Sequence, residues 1–268
     1  MTKMALAVAI FTWPVLGVTL NTNQLFVQPS FTGGTGGCGT TIDSAGPIDQ
    51  ACSGTGGFNY SGSGETFVTE GIIKGFGTTT GPGNVVSRGI FRDDLTFTSA
   101  GLSTGTLVSV TFWISVNGNL SVAPIGSQAS WLLQADLGGG AFDINRSANL
   151  NAADSGSPGY NGDPFGLYSA TVQVQIGFAA PLDVELTTTA QSSHTFSGDG
   201  SATADLFHSL YWRGITNMTV GGVPVNSFTV TSGSGVNFAA PVVPEPGTAF
   251  LLAGVCMIGW IALRRRRA

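Results

Sequence analysis

Two histidines and three cysteines in 268 residues leave little material for a soft-metal centre. No HExxH, no CxxC and no Cys/His cluster occurs, so a zinc site lacks a ligand set. Charge is scarce as well. Asp, Glu, Lys and Arg make up 9% of the chain, against roughly 25% in an average soluble domain. With 40 glycines in the same chain, that scarcity does not fit a helical cytosolic enzyme. No GxxxxGK[ST] loop and no basic–aromatic cluster points to nucleotides or nucleic acid.

The few charges are unevenly placed. Setting aside Lys3 and Arg264–Arg267 leaves five basic residues (Lys74, Arg88, Arg92, Arg146, Arg213) against fifteen acidic ones, a net of −10. An acidic body excludes nucleic acid and anionic lipid as natural partners and suits a soluble extracellular protein.

What the chain has in quantity is two-residue periodicity. In 107–116, Val108, Val110, Phe112, Ile114 and Val116 share one face, and Ser109, Thr111, Trp113 and Ser115 the other. In 168–178, Tyr168, Ala170, Val172, Val174, Ile176 and Phe178 point inward, with Ser169, Thr171, Gln173 and Gln175 outward. In 182–187, Leu182, Val184 and Leu186 alternate with Asp183, Glu185 and Thr187. Further strands are expected at 66–76, 85–91, 95–98, 131–137, 202–212 and 223–230. One packed face and one wet face is the mark of antiparallel sheet. The reading is an all-β chain with a single core, an antiparallel β-sandwich of jelly-roll-like type. Its body is expected over 65–230. A Gly-rich N-terminal segment spans 18–64 and reads as loop-like over 30–64, 138–165 reads as a long polar insertion, and 231–243 as a Ser/Gly/Ala/Pro spacer.

Both ends are apolar. Lys3 precedes a mainly apolar run over 4–20, which reads as a signal-peptide-like leader over 1–17 with Val15-Leu16-Gly17 as the cleavage match. A buried first strand is the competing reading. At the other end stand Val243-Pro244-Glu245-Pro246, then Gly247 to Leu263 without a charge, then Arg264, Arg265, Arg266 and Arg267. The apolar run covers roughly 25 Å as a helix, near the lower limit for a transmembrane span, and snorkelling arginines can close the gap. Four arginines place that end on the cytoplasmic side, so the body lies outside the cytoplasm. The two prolines keep the residues before the span extended and open to a processing enzyme. An ordinary C-terminal anchor with a chance Pro-Glu-Pro is the alternative.

In order, spacing and position, the segment 244–268 resembles the PEP-CTERM sorting tails of Gram-negative bacteria. Ala204–Leu210 is similar to a stretch often seen upstream of such tails, with no chemistry attached. The resemblance implies processing by the membrane-embedded exosortase as a transient partner. It also implies anchoring in the inner membrane before processing, a later life at the cell surface or in the extracellular matrix, and association with exopolysaccharide or biofilm. It implies no catalytic residue.

Candidate sites in the body are sparse. In an oxidising compartment Cys38 and Cys52 are a natural disulfide pair around a 13-residue stretch, worth up to roughly 3 kcal/mol in the entropy model. A metal or redox pair is the alternative. Asp154 and Asp163 flank a Gly/Asn/Tyr loop whose oxygens suit Ca²⁺, though not at EF-hand spacing. Trp113 lies on the wet face of its strand and offers a platform for a sugar ring. Glu65, Glu70 and Glu185, the last beside Asp183, are raw material for a glycosidase pair, with a solvated face as the default. His208 with Asp205 reads as an ordinary sheet histidine rather than part of a triad. Asn59, Asn119, Asn145 and Asn217 begin N-x-Ser/Thr sequons. The expected function is an exported, exosortase-processed surface or matrix protein with a structural or adhesive body and no enzymatic activity. A carbohydrate-binding module is the first alternative and a secreted glycoside hydrolase the second.

Overall fold

Strand-forming alternation runs through almost the whole body. The computed structural model describes residues 21–29, 38–44, 46–56, 59–123, 126–152, 158–195 and 198–241. The leader 1–17, the motif at Val243–Pro246, the anchor from Gly247 to Leu263 and Arg264–Arg267 lie outside the described residues. Among the described residues no helix is long and apolar enough to cross a membrane.

In chain order the strands are β1 (Asn21–Pro29), β2 (Cys38–Ser44), β3 (Ile48–Thr55), β4 (Ser61–Thr69), β5 (Ile72–Thr80) and β6 (Gly83–Thr98). Next come β7 (Leu107–Val116), β8 (Asn119–Val122), β9 (Gln128–Leu137), β10 (Ile144–Asn151), β11 (Gly159–Gly162) and β12 (Gly166–Gln175). The last six are β13 (Ala179–Ser192), β14 (His194–Thr195), β15 (Gly198–Asp199), β16 (Ser201–Val220), β17 (Val223–Pro224) and β18 (Thr229–Ser232). Two antiparallel sheets form. The first runs β11-β10-β9-β13-β6-β1-β2, with β18 also on β6; the second runs β12-β7-β16-β5-β4-β3, with β8 and β17 also on β16. Strands β14 and β15 pair separately. Buried side chains of both large sheets merge into one core, which makes the body a β-sandwich.

Strand β7 follows the expected alternation, with Val108, Val110, Phe112, Ile114 and Val116 all buried. Strand β12 also follows it, and Val172 and Val174 are buried, as is Ile176 beyond its end. Phe178 does not follow it. The chain turns at Gly177, whose φ is +78°, and Phe178 is left exposed. The single strand expected over 66–76 is two strands, β4 and β5, joined by a turn at Glu70-Gly71 with Gly71 at φ +79°. Conversely, the two strands expected at 85–91 and 95–98 are one, β6. Its inward positions include Ser87, Gly89 and Asp93, which hide the hydrophobic period. At Gly89 the sheets approach so closely that a Cβ would sit 2.5 Å from Ile73 Cγ2. The strand expected over 223–230 is interrupted, leaving only the short β17 and β18.

Three loop assignments are corrected. Residues 30–64 hold β2, β3 and the start of β4, so the boundary at 64/65 falls inside a strand. Residues 138–165 hold β10 and β11, which extend the first sheet. Residues 231–241 are no spacer. The end of β18 pairs with β6, and the Gly233 amide donates to the Asp94 carbonyl at 3.0 Å. The Ser234 amide donates to Asp93 Oδ1 at 3.2 Å, and its hydroxyl donates to Asp93 Oδ2. Phe238 is fully buried, between Trp212 (5.5 Å, edge-on) and Phe91 (6.2 Å, stacked). Its carbonyl accepts the Trp212 indole N–H at 2.8 Å. Small polar residues read as linker here because one phenylalanine supplies the anchoring.

Candidate functional site

The outer face of the second sheet carries a concavity formed by β7, β16 and the start of β12. Strand β16 runs antiparallel to β7 with register shifts between Trp212 and Gly214 and again between Ile215 and Asn217. A β-bulge adds one unpaired residue to one strand and re-aims side chains. The two extra residues are Arg213 and Thr216, and both line a groove of about 530 Å³ with Trp113, Ser115, Asn117, Gly166 and Leu167. Gly214, at φ +93°, adopts a conformation that favours glycine. A Cβ there would also meet the Ala239 carbonyl oxygen at 3.0 Å, so the docked C-terminal segment backs the bulge from inside.

Local bonds hold the groove's side chains in place. Trp113 Nε1 donates to Thr216 Oγ1 at 2.8 Å, which fixes the half-buried indole over the sheet. Arg213 Nε donates to the buried Ser115 Oγ at 2.7 Å, and its guanidinium lies 5.3 Å from the Tyr211 ring centroid. Leu167, at the start of β12, is 56% exposed and forms an apolar rim. The other arginines of the body are engaged differently. Arg88 grips Glu185 through two bonds of 2.7 and 2.6 Å, and that bonding raises its already high pKa against the opposing effect of burial. Arg92 pairs with Asp183 at 2.7 Å and Arg146 with Asp163 at 3.4 Å. Lys74 lies 5.2 Å from the ring centroids of both Phe67 and Phe207. Among the described residues no carboxylate forms an ion pair with Arg213.

The remaining sequence candidates do not join this groove. Asp183 and Glu185 lie on β13 in the first sheet, and Glu185 is buried under Arg88 rather than fully wet. Glu65 is on β4, on the same outer face of the second sheet but set apart from the groove strands β7 and β16 by β5, and Glu70 is in the β4–β5 turn. Burial, then the nearby Asp49, raise the Glu65 carboxyl pKa, while Lys74 lowers it. Asp163 accepts from the Ser147 amide at 3.3 Å as well as facing Arg146. Asp154 lies outside the described residues, and so do the side chains of Cys38, His194 and His208. Cys52 is on β3, packed near Tyr60 and Val85. Among the described residues no group of three or more His, Cys, Asp and Glu gathers as a metal site.

Sequence reading placed Trp113 on the outer face, and the structure puts it there. It missed Arg213 and Thr216. Simple alternation along β16 breaks at each bulge, and the one written signal was a glycine inside a strand, Gly214.

Residues 242–267 match the model of the PEP-CTERM protein-sorting motif. No curated protein and no solved structure matches the chain. The chain thus carries a PEP-CTERM sorting motif at its C-terminal end, which implies export, membrane anchoring before processing and exosortase-dependent sorting.

Proposed function

We propose that this is an exosortase-processed cell-surface or matrix protein whose β-sandwich is structural or adhesive and associates with exopolysaccharide in a biofilm. The sorting motif at 242–267 carries the reading. The body, a sandwich of jelly-roll-like type, would be held at the inner membrane by a helix over Gly247–Leu263 until processing. It would then pass to the cell surface with Cys38 and Cys52 joined. No reaction is assigned to it. Mass spectrometry of the mature protein from the cell surface tests this. The expected C-terminus lacks Arg264–Arg267, and peptide mapping without reductant finds the Cys38–Cys52 pair. Recovery of surface protein with an intact tail would sink exosortase processing.

A second reading, a carbohydrate-binding module, is favoured by one observation. The Trp113 groove combines an aromatic face, an apolar rim and oriented polar groups on a rigid sheet, which is the make-up of a small-molecule site. Its volume of about 530 Å³ falls in the usual range for such sites.

A further inference from the structure

The chemistry of the groove narrows its ligand. We infer that it takes a saccharide bearing a carboxylate, with Trp113 stacking on the sugar ring and Arg213 receiving the acid. This rests on the carbohydrate-binding reading given above. Three observations carry it. Arg213 is bulged out of β16 opposite the strand that holds Trp113. Its Nε is occupied by Ser115, which orients the guanidinium while leaving both terminal nitrogens with donors to spare. Among the described residues it also has no ion pair, whereas Arg88, Arg92 and Arg146 each have one. A planar, oriented guanidinium is the donor best matched to two carboxylate oxygens.

The body's overall charge limits the class further. A net of −10 over residues 4–263 repels densely charged polymers. At physiological salt that repulsion fades beyond about 8 Å, so a single acid at Arg213 is accepted where a continuous polyanion is not. The ligand is therefore a sparsely carboxylated glycan, with one uronate among neutral hexoses.

The test uses the full chain in detergent and two tetrasaccharides of equal length. One holds a single glucuronate among neutral hexoses, and the other is cellotetraose. Binding is read from the indole N–H resonances in a titration followed by NMR, with Trp113 assigned through Trp113→Phe. The expected result is that the acidic tetrasaccharide shifts the Trp113 signal and binds at least tenfold more tightly than cellotetraose. Arg213→Gln should remove that preference, because it deletes the charge and keeps a polar side chain near Ser115. Arg213→Lys should restore only part of the preference. Equal binding of both sugars would overturn the carboxylate assignment while the carbohydrate reading stands. Binding of neither would overturn both. A preference that survives Arg213→Gln, in a variant with unchanged melting temperature, would overturn the role of Arg213.

Discussion

Trp131 and Trp212 are both buried indoles of the core, 1% and 0% exposed, and they differ in one hydrogen bond. Trp131 stacks on Phe165 at 5.6 Å, and its Nε1 has no partner among the described residues. Trp212 stacks on Phe112 at 5.4 Å, and its Nε1 donates to the Phe238 carbonyl. Replacing either by Phe removes similar volume. Only Trp212→Phe also strands a buried carbonyl, at a cost of about 1–3 kcal/mol. Urea unfolding should therefore find Trp212→Phe more destabilising than Trp131→Phe by about 1 kcal/mol or more. Equal losses would mean that the Trp212 bond contributes nothing net. The same scale shows what can be read from a sequence. Trp113 was legible because β7 keeps strict alternation from Val108 to Ile114. Arg213 was not, because the bulges around Gly214 and Thr216 shift the phase of β16 without changing its composition.

At the scale of elements, legibility followed the chemistry of the inward face. Strands β7, β12 and β13 bury aliphatic side chains at alternate positions, and their period shows in the sequence. Strands β4 to β6 meet where the sheets approach closely, at Gly62, Gly75, Gly77 and Gly89. Glycine and small polar residues are required there, and they write the same text as a loop. The stretch after β18 is the sharpest case. Among small polar residues, Phe238 alone carries a large side chain into the core, filling the space between Trp212 and Phe91. Phe238→Ala should cost about 3–5 kcal/mol, the range for truncating a fully buried phenylalanine. A chain stopped after Pro241 should melt near the parent temperature, and one stopped after Val236 should melt well below it. If the two shortened chains melt together, the segment is a passive linker after all. The experiment also bounds processing, since a cut before Phe238 would leave the mature body without its plug.

At the scale of the whole molecule, docking of 231–241 changes the distance between body and membrane. The expected spacer would have let the sandwich stand clear of the lipid. With Phe238 buried, only residues 242–246 separate the docked chain from the apolar run that begins at Gly247. Five extended residues span at most about 17 Å. If Gly247–Leu263 is inserted, the body is pressed near the bilayer and the Pro-Glu-Pro motif lies in the narrow gap beneath it. A membrane-embedded protease can reach that gap from below, whereas a soluble one must enter from the side. Proteinase K added to membranes that hold the precursor and lack exosortase should therefore release little intact body. Inserting ten Gly/Ser residues after Pro241 should make the same linkage readily cut, because a flexible chain of that length adds roughly 16–19 Å of root-mean-square reach. Rapid release of the native precursor would show that the tether is long. It would then follow that the segment around Phe238 undocks at the membrane, and the body's own stability would no longer guard its sorting signal.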